Sequence, residues 1–351
     1  MPPATCCSKP AAPTSRSARW CRARTATSRW WPGRTCCWAP TCWPGGEGAS
    51  IALFAGRDLT QDEGTVVSTA GGVIAPDVAG VATLESLMAG TGAVSITAGS
   101  VVDGDTDPDD AEVDIEAAAL VLGGAGSMGA ADNALETTVD ELAVSGGGDL
   151  FLTETDALDV ATLSVQAQRV GADAAAEDAD ALNAAGLATG ATVVRTLDGT
   201  LTVLAGAEVT TTGNTLLQAA GEEADLVLLA AINGGADLSL VAAGDLSQDA
   251  DVASTAGGSV VLAAGDDVTQ AQGTTASTLD GILAVQAGGT FTLSSLRRAQ
   301  APCASTAVRS STPMRPATPT STSRPEPSSS WSAVPSAPPA MRWRRRSTRS
   351  P

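Results

Sequence analysis

Gly258-Ser-Val-Val-Leu-Ala-Ala-Gly-Asp-Asp-Val-Thr-Gln270 has a near-copy on either side. Before it stands Ala236-Asp-Leu-Ser-Leu-Val-Ala-Ala-Gly-Asp-Leu-Ser-Gln248, and after it Gly281-Ile-Leu-Ala-Val-Gln-Ala-Gly-Gly-Thr-Phe-Thr-Leu293. Each copy is an alternating apolar strand, an Ala-Gly turn and a second short strand. Gly244, Gly265 and Gly288 place the turns 21 and then 23 residues apart. Self-similarity at that period marks a stack of repeats, because one unit is too small to bury its own apolar face.

The pattern extends toward the N-terminus. Ser50-Ile-Ala-Leu-Phe-Ala-Gly-Arg-Asp-Leu-Thr-Gln61 repeats it, and Ser68-Thr-Ala-Gly-Gly72 recurs as Ser254-Thr-Ala-Gly-Gly258. Val113-Asp-Ile-Glu116, Leu120-Val-Leu122, Glu141-Leu-Ala-Val144, Asp149-Leu-Phe-Leu-Thr153, Leu163-Ser-Val-Gln166 and Leu201-Thr-Val-Leu204 are strand-like, short and alternating. Thr83-Leu-Glu-Ser-Leu-Met88 reads as a strand or a short helix. Ala172 to Ala185 breaks the rhythm, and its Ala, Glu, Asp and Leu predict one or two helical turns or a loop inserted on the wall.

Stacking such strands about 4.8 Å apart sets Val on Val and Leu on Leu, with backbone hydrogen bonds running between rungs. Small inward residues suit a narrow bore, and glycine is expected to supply positive φ at the corners. The expected fold is all-β, a parallel β-helix (β-solenoid). About eleven rungs would make a rod on the order of 50 Å long. Tandem β-sandwiches, which repeat at about 100 residues, fit the spacing less well.

Composition divides the 351 residues into three parts. Residues 1–46 hold six of the seven cysteines and no carboxylate, with net charge +7; 47–296 hold no cysteine or tryptophan, with net charge −35; 297–351 return to Arg, Ser, Thr and Pro, with net charge +9. Each part therefore has to be read separately. The acidic middle is the repeat domain, and like-charge repulsion argues against nucleic acid as its partner. Nothing in it suggests membrane insertion. The flanks are expected to be disordered, with too little apolar surface to offset chain entropy.

The cysteines of the first flank do not form a zinc pattern. Cys6-Cys7 and Cys36-Cys37 are adjacent pairs, and the chain has no histidine. No apolar run of signal-peptide type follows the basic start. Codon logic offers another reading. Trp30-Trp31-Pro-Gly-Arg-Thr-Cys36-Cys37-Trp38-Ala-Pro-Thr-Cys42-Trp43, restarted at each third base, forces Val, Ala, Leu, Leu, Gly, Leu and Ala at the Trp and Cys codons, which is the vocabulary of the repeat. Residues 1–46 are thus read as out-of-frame translation of a further repeat, a hypothesis that the nucleotide sequence tests. The tail 297–351 is open to the same reading, since Pro313 to Pro327 can shift into Ala/Gly/Asp/Val text.

Gly258 to Gln270 resembles the repeats of filamentous-haemagglutinin-type exoproteins and autotransporter-like adhesins. The resemblance implies a right-handed parallel β-helix and display in the extracellular space or at a bacterial cell surface, bound to a host or neighbouring-cell surface or to carbohydrate. No match to that family's N-terminal secretion domain is seen, so the chain is expected to be an interior fragment. Uncapped ends of such a stack expose strand edges, from which edge-to-edge self-association is expected.

One constellation stands out chemically. In Asp103-Gly-Asp105-Thr-Asp107-Pro-Asp109-Asp110-Ala-Glu112-Val-Asp114, the residues Asp103, Asp105, Asp107, Asp109 and Asp114 hold positions 1, 3, 5, 7 and 12 of an EF-hand-like loop. That spacing gathers hard oxygen ligands for Ca2+. Pro108 stands where the loop's glycine belongs, and position 12 is Asp instead of a bidentate Glu. The competing reading is an acidic, solvated corner. Without histidine or tyrosine, and without lysine in the middle, nucleophilic triads and most proton shuttles cannot be assembled. A β-helix glycosidase with paired carboxylates is the remaining enzymatic alternative. The sequence therefore points to a non-catalytic structural or adhesive protein, with a calcium-stabilised binding module as runner-up and no cofactor unless it is Ca2+.

Overall fold

The structure is a computed structural model and describes residues 36–38 (backbone only), 48–105 and 112–299. Within these residues there is no helix, and parallel strands stack as a β-solenoid of about 11 turns. The expected all-β parallel solenoid is the observed fold.

The repeat read from sequence is the repeat of the coil. Strands Leu238–Ala242, Val260–Ala264 and Leu283–Ala287 pair in parallel with no shift of register, so that Leu240 lies beside Leu262, and Leu262 beside Val285. The same column continues downward through Leu217 and Val194 to Leu152. Alternate residues of each strand enter the bore: Leu238, Leu240, Val260 and Leu262 are fully buried, while Ser239 and Val261 between them are half-exposed. A single apolar cluster runs the length of the stack from Ile51 to Ala276.

Each full C-terminal coil has one five-residue side and two shorter ones, as in Val260–Ala264, Val268–Gln270 and Ala276–Leu279. Gly265 and Gly288 lie on one line of corners. They are not there for positive φ, which neither adopts. A Cβ on Gly265 would come within 1.9 Å of the Ala243 carbonyl oxygen, and one on Gly288 within 1.9 Å of that of Gly265. The corner needs close approach of successive backbones, and only glycine leaves room for it.

Carboxylates and amides stitch the outside of the corners. Asp225 accepts the N–H of Asp245 at 2.7 Å, Asp245 that of Asp267 at 2.8 Å, and Asp267 that of Thr290 at 2.6 Å. A second ladder runs from Asn214 to the N–H of Asp237, and from Asp237 to that of Ser259. Part of the chain's acidity thus has a structural use, satisfying one backbone donor per coil on the next turn. Inside the bore, Gln248 and Gln270 stack and satisfy carbonyls of neighbouring coils.

Of the two readings open for Thr83 to Met88, the strand is the observed one, interrupted by a bend at Glu85. One sequence expectation is corrected. The insertion is a β-hairpin, neither helix nor plain loop: Thr162–Val165 pairs antiparallel with Leu182–Ala185, and Gln168–Val170 with Ala176–Asp178. Leu163 to Gln166 therefore belongs to this hairpin and not to a rung. The hairpin leaves the stack after Val160, which lies beside Leu142, and returns at Leu187, which lies beside Val144. The long strand Leu135–Gly146 carries both stems, so the coil's register survives the interruption. Val165 and Ala184 pack on Val121 and Ala143, outward-facing residues of the wall, in a second small core. An apolar exterior patch and an apolar hairpin cover each other, which is why Ala-rich text became strand here.

Strand Leu296–Ala299 pairs with Ala276–Leu279, so Arg297 and Arg298 belong to the last described coil and not to the tail. Within the first flank, Cys36–Trp38 pairs parallel with Leu59–Gln61. The other cysteines, like residues 300–351, lie outside the described residues.

Candidate metal centre

Asp103 ends the strand Leu87–Asp103, and Asp114 immediately precedes Ile115–Gly124. Both are forced inward by the coil. Asp103 lies beside Leu84. Asp114 is clamped between turns: its carbonyl accepts the N–H of Leu87 at 2.6 Å, its N–H donates to the Glu136 carbonyl at 3.0 Å, and its Oδ2 accepts the Glu136 N–H at 3.0 Å. The loop between the two aspartates thus begins and ends at one corner. Asp103 and Asp114 are 5% and 3% exposed.

The third carboxylate at this corner is Glu136, half-buried, from the following turn. One oxygen each from Asp103, Asp114 and Glu136 lie within 4.8 Å of one another. Burial raises the Asp114 carboxyl from 3.8 to about 9, and the neighbouring Asp103 charge adds to the rise. Two buried carboxylates in contact cannot both carry charge without compensation; a proton or a hard cation must supply it. Three oxygen donors suit calcium or magnesium better than a soft transition metal.

Of the five residues that the loop spacing nominated, Asp103 and Asp114 are brought together. Asp105 sits beside them, its N–H donating to Asp103 Oδ1 at 3.2 Å. Asp107 and Asp109 lie outside the described residues. Glu136 was missed because a loop motif looks only along the chain. Its signal is the coil period: residue 136 stands 22 positions after 114, one turn on.

A second buried acid, also unforeseen, lies inside the bore. Glu154 is fully buried and accepts from the Thr137 hydroxyl at 2.7 Å, the Val139 N–H at 3.1 Å and the Thr155 N–H at 2.9 Å. Burial raises its carboxyl from 4.5 to about 7, and the hydrogen bonds from the Thr137 hydroxyl and the Val139 and Asp156 N–H groups hold it below where burial alone would put it. Two recesses, one bordered by Leu53, Gln61, Val67 and Leu87 and one on the hairpin at Leu163 and Asn183, have no carboxylate in their linings.

No protein-family model, no curated protein and no solved structure matches this chain.

Proposed function

We propose that the chain is a non-catalytic structural and adhesive rod of the filamentous-haemagglutinin type, secreted or displayed at a bacterial surface. The observation that supports this reading is where the sequence invests its side chains. Column after column, such as Leu217, Leu240, Leu262 and Val285, serves stacking, and the bore is filled with them. A stack of this kind gives reach and a long, repetitive wall, which suits many weak contacts to carbohydrate or to a host or neighbouring-cell surface. A glycan array probed with the full chain, together with whole-cell binding, tests it; binding to neither would overturn the adhesive half of the proposal.

The corner formed by Asp103, Asp114 and Glu136 favours a second reading, a surface binding module stabilised by calcium. A cation held there would tie together three turns of the coil and replace the proton that Asp114 otherwise keeps. A calcium titration followed by thermal melting separates the two readings, because a ligand that binds only the folded state raises its stability.

A further inference from the structure

Asp-Gly and Asn-Gly are the dipeptides at which a chain can most readily rewrite its own backbone. Glycine has no side chain to shield its nitrogen, which can attack the carboxyl or amide carbon of the residue before it. The sequence holds three Asp-Gly pairs, Asp103-Gly104, Asp198-Gly199 and Asp280-Gly281, and one Asn-Gly pair, Asn233-Gly234; neither flank contains Asp or Asn. The fold sets the four apart. Asn233 and Gly234 lie in the strand Ile232–Gly234, which is paired with Val209 and Thr210 on one side and with Val252, Ala253 and Ser254 on the other. The Gly104 N–H is given to the Leu84 carbonyl, and buried Asp103 accepts the Asp105 N–H on Oδ1. The Asp280 N–H donates to the Ala299 carbonyl at 2.8 Å, and the Asp280 carbonyl accepts from Arg298 Nη2 at 3.1 Å. Gly281 is buried against the Gly258 carbonyl. In these three pairs the main chain must break bonds to neighbouring turns before nitrogen and side-chain carbon can meet.

Asp198-Gly199 is different. It forms a bend between the strands Thr192–Thr196 and Leu201–Val203, with Asp198 exposed. The Gly199 N–H donates to the Oδ1 of Asp198 itself at 2.9 Å. The attacking nitrogen and the carboxyl it must attack already face each other, and orientation of that kind is worth orders of magnitude in rate. Gly199 has a φ of +72°, in which other residues are strained, so the turn itself demands the glycine that leaves the nitrogen open.

We propose that Asp198-Gly199 is a self-modification site, where the chain isomerises to isoaspartate through a succinimide. The Gly199 nitrogen bonds to Asp198 Cγ and gives up its proton, Cγ gives up a hydroxyl, and the two leave as water. A second water then opens the five-membered ring at the former main-chain carbonyl carbon. The chain now runs through Cβ and Cγ and is one carbon longer, with no oxidant or other reagent consumed. The corner has no room for that carbon. A Cβ on Gly199 would already lie 2.8 Å from the Ala157 nitrogen, and one on Gly221 would lie 2.7 Å from Asp198 Cα. Isomerisation therefore pushes against the turns on both sides and loosens the stack at this corner. The site stands apart from the adhesive and the calcium readings of the rod.

Ageing the full chain in warm, mildly acidic buffer tests this, with isoaspartyl groups counted by enzymatic methylation and located by peptide mapping. The expected result is isoaspartate at position 198 in roughly tenfold or greater excess over positions 103, 233 and 280. Asp198→Glu keeps the charge but would have to close a six-membered ring, so it removes most of the signal. The melting temperature of the parent falls on ageing, and that of Asp198→Glu holds. The mapping is made on the parent, so it decides the question even if the variant folds poorly. No isoaspartate at 198, an equal yield at any of the other three pairs, or the parent's total in Asp198→Glu would each overturn the proposal. An isomerised chain that melts like the fresh one would overturn the loosening of the corner.

Discussion

The Asp245 carboxylate accepts the backbone N–H of Asp267, one full turn further along the chain, at 2.8 Å. The same bond recurs on the turns before and after it, so the acid at this corner acts as a bracket between coils. Asp245→Ala should cost about 1 kcal/mol, as the loss of one hydrogen bond at a partly solvated site does. Asp245→Asn should cost less, because Asn214 makes the equivalent bond to Asp237 in the neighbouring ladder. Urea denaturation of the three proteins checks the order; equal losses for Ala and Asn would show that charge, and not the bond, was responsible.

Inward and outward positions of one strand should respond very differently. Leu262→Ala leaves a hole between Leu240 and Val285 and should cost about 3 kcal/mol. Val261→Ala, on the wall, should stay within about 0.5 kcal/mol of the parent. Comparing the two denaturation midpoints tests the register directly.

Glu154 makes stability depend on pH in a predictable direction. Its carboxyl titrates near 4.5 when unfolded and near 7 when folded, because burial disfavours the charge. Between those values the folded chain holds a proton that the unfolded chain has released, so acid favours folding. This contribution is fully present below about 4.5 and is lost as pH rises through about 7. Glu154→Gln should flatten that part of the stability profile, measured by melting temperature from pH 4.5 to 7.5. A profile unchanged by the substitution would mean that other groups set it.

At the Asp103 corner, millimolar calcium should raise the melting temperature of the parent and leave Asp114→Asn unmoved. The gain should grow with pH, since binding must displace the Asp114 proton. No shift in the parent at any pH would leave the corner as a proton-sharing pair.

Replacing residues 162–186 by a short turn should preserve the solenoid, because Val160 and Leu187 are each anchored on Leu135–Gly146. It should also uncover Val121 and Ala143. Far-ultraviolet circular dichroism should keep its β signature while binding of a hydrophobic dye rises.

The alternation around Leu240, Leu262 and Val285 was enough to name the architecture and the interior column, because a side-chain period of two and a coil period near 22 are both written in the order of residues. The close approach at Gly265, the carboxylate ladders, and the meeting of Asp114 with Glu136 arise only when turns are laid on one another. Residues one coil apart become neighbours there, and no local motif records that. The hairpin at 162–185 was misread for a related reason. Its Ala-rich strands have weak local preferences, and what settles them is the apolar patch of Val121 and Ala143, which exists only once the wall has formed.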